Sequence, residues 1–229
     1  MSERLGRSIV TGTMDTGLDV VTGAFSFTGG AIARRLLADG RRVRTLTGHP
    51  HRPSPIRDLV EVAPYSFDDP GAMRRALEGA TTLHNTYWVR FARGEVSFER
   101  AVSNSRALFR CAREAGLGRI VHLSVTKPSP DSPFPYFRGK ALVERILVES
   151  DLPYAVVRPT VIFGRGDILV NNIAWLLRRF PVFAMPGSGA YRVRPVHADD
   201  VADLSEWTGE EAPRLGLRYA SEIRRHFRP

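Results

Sequence analysis

The sequence predicts an α/β protein in which helices cover both faces of a doubly wound parallel sheet. Short β-branched segments alternate along the chain with longer segments whose apolar residues recur at helical spacing. Such alternation is typical of parallel strands joined by right-handed crossover helices. The 229 residues, 43% of them hydrophobic, suffice for one such domain with a small appendage.

The first strand is predicted from Leu18 to Thr22, because this run is rich in valine and stops at Gly23. Helical spacing follows from Gly30 to Ala38. Alternating apolar positions predict further strands at 42–47, 59–63, 81–86, 119–125 and 153–158. Helical spacing predicts helices at 70–77, 97–115 and 136–149. The pattern is less regular beyond 159, where we expect a helix at 173–179, a turn at 187–189, a strand at 191–196 and an amphipathic helix at 217–227.

The formal net charge of +9 and the pI near 10.5 raise the question of a nucleic-acid or acidic-membrane partner. Arginines supply nearly all of the positive charge and lie as singles and pairs along helical segments. No basic run or known binding motif accompanies them. We therefore expect solvated helix faces and no nucleic-acid partner.

The single cysteine, Cys111, excludes an intramolecular disulfide and a thiolate metal cluster, and the six histidines show no metal-ligand spacing. No apolar run approaches the roughly 20 residues that span a bilayer. The first residues also lack the apolar core of a signal peptide. We expect a cytoplasmic protein without a metal site or a membrane span.

The turn after the first strand has glycine at both ends of a seven-residue segment, from Gly23 to Gly29. Gly23 permits a tight exit from the strand, and Gly29 lets the helix pack close to the sheet. The amides at the helix start would then face an anionic ligand such as a diphosphate. The alternative is an ordinary turn between a strand and a helix.

A second pattern is Tyr136-x-x-x-Lys140, at the start of the helix that follows the fifth strand. The spacing of four places both side chains on one face of that helix. A neighbouring ammonium favours the phenolate, so Lys140 is expected to lower the pKa of Tyr136 and suit it to proton transfer. The alternative is an ordinary amphipathic helix start.

Together these motifs resemble the atypical and extended short-chain dehydrogenase/reductase superfamily, including its NmrA-like and NAD-dependent epimerase/dehydratase-like branches. The usual loop of that family is T-G-A-x-G-x-x-G, and the middle glycine is replaced here by Ser26, which brings a Cβ and a hydroxyl close to the expected diphosphate. The stretches that carry the resemblance are Thr22 to Gly29, Tyr136 to Lys140 with Glu144, Tyr154 to Pro159, Ile162 to Gly164 and Pro195 to Ala202.

The resemblance implies a Rossmann NAD(P)-binding fold with a catalytic Tyr136 and Lys140 and a hydroxyl that orients the substrate oxygen. Ser124 is the first choice for that hydroxyl and Thr126 the second. The residues implied as cofactor contacts are Gly23, Phe25, Ser26, Phe27, Thr28, Gly29, Asn85, Thr86, Lys140, Pro159 and Thr160.

The choice of dinucleotide depends on the end of the second strand, where an NAD site usually has a carboxylate. The segment 46–52 contains no acid, whereas His49, His51 and Arg52 could contact a 2′-phosphate. This favours NADP over NAD, although a solvated loop explains the same residues nearly as well. Asp68 follows the third strand near the position where the family often has an aspartate beside the adenine.

Only 27 residues follow Ala202, which predicts a shortened substrate lobe relative to the family. The expected organisation is a leader at 1–17, a Rossmann domain at 18–160 and a small C-terminal substrate lobe with a final helix at 161–229. A homodimer through the long helices could add stability. Two functions stay open: an NAD(P)H-dependent oxidoreductase or epimerase acting on a small carbonyl or hydroxyl substrate, and a non-catalytic NAD(P)-binding redox sensor or assembly protein.

Overall fold

A computed structural model describes residues 17–92, 94, 96–182, 188 and 192–211. Several predicted features lie wholly or partly outside these ranges: leader residues 1–16, most of the turn at 187–189, the start of the strand at 191 and the helix at 217–227. The division into a domain at 18–160 and a lobe at 161–229 stays a prediction.

A six-stranded sheet with parallel neighbours forms the centre of the molecule, in the order β3-β2-β1-β4-β5-β6. The doubly wound Rossmann-like fold class is therefore confirmed. The strands are β1 Leu18–Thr22, β2 Arg42–Thr47, β3 Glu61–Pro64, β4 Ala80–Asn85, β5 Arg119–Leu123 and β6 Tyr154–Val157. A separate two-stranded parallel sheet contains β7 Val161–Phe163 and β8 Pro195–His197.

The described helices are α1 Phe27–Ala38, α2 Pro70–Leu77, α3 Phe98–Glu114, α4 Pro135–Val148, α5 Leu169–Arg179 and α6 Ala198–Glu211. Asp69 caps α2, because its carboxylate accepts from the amide of Ala72 at 2.9 Å. None of the helices in these described ranges is long and apolar enough to cross a membrane.

Several elements differ from the sequence prediction: α1 and α5 begin earlier, at Phe27 and Leu169, residues 192–194 lie before β8 rather than in a strand, and β7 was not predicted. The third strand begins at Glu61 rather than 59, because Arg57–Leu59 form a 3-10 helix before it. Helix α6 was not predicted at all. It packs against α1 and buries Ala198, Val201 and Leu204, so the helical layer on that face of the sheet extends beyond the predicted crossover helices.

Apolar side chains form one cluster on each face of the central sheet. Val20 and Leu147 belong to the cluster beneath α2, α3 and α4, whereas Val21 belongs to the cluster beneath α1 and α6. Successive residues of a strand point to opposite faces, so a strand buried on both sides is apolar at consecutive positions. This explains the unbroken Val20-Val21 pair in β1.

We predict that Leu147→Ala lowers the free energy of unfolding by about 2–5 kcal/mol, because this side chain is fully buried and its loss leaves a cavity. Urea unfolding measures the change. Val148→Ala is the matched control, since its neighbouring side chain is 52% exposed and should change stability by no more than about 0.5 kcal/mol. Equal effects in both variants would contradict the described packing of α4.

Candidate functional site

The carboxyl ends of β1 and β4 lie side by side, at the point where the strand order reverses. Strand β1 pairs with β2 on one side and with β4 on the other, so the crossover connections leave in opposite directions. Ligands of doubly wound sheets bind in the crevice at such a point. The turn from β1 into α1 and the residues after β4 form this crevice.

Close packing determines the shape of the β1–α1 turn. Gly23 has a φ of +69°, in the left-handed region that favours glycine. A Cβ atom at Gly29 would overlap the carbonyl oxygen of Gly23 and lie 2.8 Å from its carbonyl carbon. Both glycines are therefore required by the turn itself, as the sequence predicted on steric grounds.

Ser26 fits this turn by bonding within it. Its hydroxyl donates to the carbonyl oxygen of Gly23 at 2.7 Å, and its side chain does not cap the first turn of α1. The first amides of a helix lack acceptors within the helix. The amides of Phe27 and Thr28 therefore remain suited to an anionic ligand, and no acidic side chain lies in that first turn.

The two phenylalanines of the loop have different surroundings. The side chain of Phe25 is buried in the core beneath α1, with the Arg57 guanidinium 5.5 Å from its ring centroid. Only its backbone is suited to contact a ligand. The ring of Phe27 lies against Gly164, at the end of β7, and so connects the turn to the small sheet.

A buried polar network supports the floor of the crevice across β1, β4 and β5. Thr86 donates from its amide to the Thr22 hydroxyl at 2.6 Å and from its hydroxyl to the Thr22 carbonyl at 2.5 Å. The Asn85 side chain accepts from the Tyr87 amide at 3.1 Å and donates to His122 Nδ1 at 3.0 Å. Asn85 and Thr86 were predicted as cofactor contacts. In the structure, most of their hydrogen bonds instead connect β4 and the residues after it to β1 and β5.

Sequence reasoning missed His122. Burial, together with the positive charge of Lys140, lowers the pKa of this imidazole well below its usual value, so the ring is neutral at physiological pH. The only signal in the sequence was its position on β5, one residue before Leu123 at the carboxyl end of the strand. That position could have indicated that His122 takes part in the polar network beneath the crevice.

Lys140 lies on α4 and is 3% exposed. Its Nζ donates to the Leu123 carbonyl oxygen at 2.8 Å and lies 4.8 Å from the ring centroid of Trp88. Burial lowers the pKa of Lys140 from 10.5 to about 7, and the charge of Glu144 opposes this shift only in part. The Glu144 carboxylate itself binds the Arg158 guanidinium, with a separation of 3.0 Å from Nε.

Tyr136 lies one helical turn before Lys140, within a cluster of aromatic rings. Its ring centroid is 5.9 Å from that of Trp88, 6.0 Å from that of Phe98 and 5.4 Å from that of Phe137. Burial raises the pKa of Tyr136, so the predicted lowering by Lys140 is wrong for this structure. The physical reason is that the ammonium is directed to the Leu123 carbonyl while Trp88 contacts both side chains.

The two candidates for the substrate-orienting hydroxyl differ in their hydrogen bonding. Ser124 is buried, and its Oγ has no hydrogen-bond partner among the described residues. The Thr126 hydroxyl instead donates to the Pro159 carbonyl at 3.0 Å. Ser124 therefore has the available donor and Thr126 supports the loop, which favours the predicted order of the two.

The remaining predicted contacts lie around the rim. His49 and Arg52 line an open depression of about 510 Å³ at the end of β2, together with Gly48, Pro50 and His51. Asp68 is exposed beyond β3, next to the stacked rings of Tyr65 and Phe67. Pro159 is half-buried, and the Thr160 hydroxyl bonds the Arg194 carbonyl oxygen before β8.

Comparison with known proteins places these features in context. A family model described as NAD(P)H-binding matches residues 23–167. The chain is 32% identical over 216 residues to a ceramide reductase of Caulobacter vibrioides, covering 91% of this chain and 66% of that protein. It is 26% identical over 205 residues to the mitochondrial NADH dehydrogenase [ubiquinone] 1 alpha subcomplex subunit 9 of Arabidopsis thaliana, covering 86% of this chain and 50% of that protein.

The chain thus spans between half and two thirds of the length of these curated relatives. A solved structure of MoeE5 in complex with UDP-glucose and NAD matches with a TM-score of 0.70 at 20% identity. That match covers 86% of this chain and 73% of the other chain, and it supports the fold alone.

We predict that the wild type gains stability relative to Lys140→Met as the pH rises from 7 to 10. In this window the unfolded chain keeps the proton on Lys140, whereas the folded chain, with a pKa of about 7, has lost it. Unfolding then takes up a proton, so the free energy of unfolding of the wild type increases with pH.

Urea unfolding of both proteins across this pH range measures the difference, and taking the difference removes the titration of other groups. A stability difference that stays constant from pH 7 to 10 would contradict the lowered pKa of Lys140 in the folded protein.

Proposed function

The chain belongs to the NAD(P)H-binding family, as its resemblance to short-chain dehydrogenases/reductases predicted, and from this premise we propose that it is an NAD(P)H-dependent oxidoreductase or epimerase. Its substrate would be a small molecule with a carbonyl or hydroxyl group. Three observations support the proposal: Trp88 lies against both Tyr136 and Lys140, Lys140 donates to the carbonyl of Leu123, and the hydroxyl of the next residue, Ser124, has no partner among the described residues.

The residues of the crevice fit a dinucleotide. The turn between Gly23 and Gly29 presents the first amides of α1, and Ser26 leaves them unblocked because its hydroxyl bonds Gly23. These amides would hold the diphosphate. When bound, NAD(P)H supplies the hydride that a carbonyl carbon accepts during reduction.

Tyr136 would supply the proton in that reaction. The pKa of its phenol is raised by burial, so the group is protonated at neutral pH and can donate to the developing alkoxide. The Ser124 hydroxyl would donate a hydrogen bond to the same oxygen and so orient it. After transfer, Tyr136 regains a proton from solvent, and Lys140, with a pKa of about 7, is suited to assist that step.

For the cofactor we propose NADP in preference to NAD. The loop after β2 carries His49, His51 and Arg52 around an open depression and no carboxylate. A guanidinium beside imidazole donors suits a 2′-phosphate, whereas the diol of an NAD ribose usually bonds an acid.

A second candidate function is a non-catalytic NAD(P)-binding protein, such as a redox sensor or an assembly subunit. Two observations favour it: the indole of Trp88 lies against both Tyr136 and Lys140, and the second relative is named as a subunit of a mitochondrial NADH dehydrogenase. The predicted cytoplasmic location and homodimer stay predictions under both functions.

We predict that Tyr136→Phe lowers the rate of NADPH-dependent carbonyl reduction by about 10²–10⁴-fold, because the proton donor is lost while the ring packing is kept. The loss of reduced-nicotinamide absorbance measures this rate over a panel of small carbonyls and lipid carbonyls, the latter because one relative is a ceramide reductase. Tyr154→Phe, at the start of β6, is the matched control.

Turnover that survives in Tyr136→Phe would contradict the acid role. Cofactor binding without any turnover across the panel would select the non-catalytic function instead.

We also predict that Arg52→Gln raises the dissociation constant for NADPH by about tenfold and leaves that for NADH unchanged, because one charged bond to the 2′-phosphate is lost. Titration by nicotinamide fluorescence measures both constants. Arg145→Gln, near the carboxyl end of α4, changes the net charge equally and should alter neither constant. An equal loss of both ligands in Arg52→Gln would contradict the assignment of Arg52.

A further inference from the structure

Among the six described α-helices, α5 is alone in burying no residue. Leu169, Ile173, Leu176 and Phe180 follow one another at spacings of four, three and four, which places them along one stripe of the helix. Leu169 is 54% exposed, and Phe180, at the end of the helix, is 51% exposed. Contiguous apolar surface of this kind is rare on soluble proteins and marks interaction sites.

The helix is nevertheless fixed to the fold at its amino end. The carboxylate of Asp167, which is buried, accepts from the amide of Val170 at 2.6 Å. The Asn171 side chain donates to the Asp167 carbonyl at 2.6 Å and to the Gly164 carbonyl at 3.3 Å. Because Gly164 lies against Phe27, α5 starts beside the β1–α1 turn.

The charge of the helix itself has a single sign. Arg178 and Arg179 end the helix, and it contains no acidic residue. Exposed Arg165 precedes the helix in the chain, and the exposed Arg192 and Arg194 lie just before β8, the partner strand of β7. None of these arginines forms an ion pair with an acidic side chain in the described ranges, and Asp167, the one acid between 160 and 182, is already bonded.

We propose that α5 and its flanking arginines form a docking surface for an anionic phospholipid bilayer, with the helix lying in the plane of the interface. An apolar stripe on a cationic helix is the pattern by which amphipathic helices bind such surfaces. The apolar side chains enter the boundary between headgroups and acyl chains, and the arginines contact lipid phosphates.

Charge also decides between occupants of this surface. A second copy would bring the same uncompensated arginines against the first copy, and the like charges would repel each other. The net charge of +9 adds to that repulsion over the whole chain. An anionic bilayer can bury the apolar stripe and can also pair the arginines with lipid phosphates.

Co-sedimentation of the full chain with lipid vesicles tests the proposal. Vesicles of phosphatidylcholine containing about 30% phosphatidylglycerol should bind at least about tenfold more protein than phosphatidylcholine alone. The double variant Leu169→Glu/Leu176→Glu should lose most of this binding, while its thermal unfolding and NADPH titration match the wild type.

The matched control is Leu59→Glu/Val148→Glu, which replaces two exposed apolar side chains elsewhere, 64% and 52% exposed, and changes the net charge by the same amount. This control should bind the anionic vesicles as the wild type does. Equal losses in the two double variants would show a general charge effect and overturn the assignment to α5.

Failure of the wild type to bind either vesicle would also overturn the proposal. Light scattering is measured in parallel, because a wild-type dimer that becomes monomeric in the α5 variant would assign the stripe to a second copy instead. Each result is independent of cofactor turnover, so the proposed function and this docking surface fail separately.

Discussion

The close approach of α1 to the end of β1 is the constraint on which the other features of the site depend. A side chain at Gly29 would overlap the Gly23 carbonyl, so the helix can begin at Phe27 only if this position is glycine. The amides of Gly23 and Ala24 bond the Leu46 carbonyl at 2.7 Å and the Thr45 hydroxyl at 3.0 Å, which attaches the turn to β2. The turn is thus shaped by packing and by bonds within the fold, while the first amides of the helix remain directed to a ligand.

The second half of the site is governed by the burial of a charge. Lys140 can lie inside the protein because its Nζ donates a hydrogen bond to the Leu123 carbonyl and the face of Trp88 lies nearby. The same arrangement withdraws the ammonium from Tyr136 and leaves the phenol with a raised pKa. The phenol is protonated at neutral pH, which proton donation requires, but its raised pKa makes it a weaker acid than the sequence suggested. The proposed role of Tyr136 therefore rests on its position and not on a lowered pKa.

Much of the fold was predictable because buried parallel strands are unbroken β-branched runs between helical segments, as at Val20-Val21 in β1. Helix α6 was missed although Asp199 and Asp200 in its first turn are acidic residues of the kind that favour a helix start. At the site, residue types and spacing identified Gly23, Gly29, Tyr136 and Lys140. The direction of the Lys140 side chain could not be predicted, since it depends on Trp88, which follows β4 and is distant in sequence. The bond from Ser26 to Gly23 likewise depends on the three-dimensional turn.

The most direct test of the account measures whether the β1–α1 turn holds a dinucleotide diphosphate, by isothermal titration of NADPH into the wild type and Ser26→Asp. Aspartate is a good residue for the start of a helix, so the variant should fold, but its carboxylate would face the phosphates. The account predicts one site per chain in the wild type and a dissociation constant raised at least about tenfold in the variant. Equal binding by both proteins, or no binding by the folded wild type at millimolar NADPH and NADH, would contradict it.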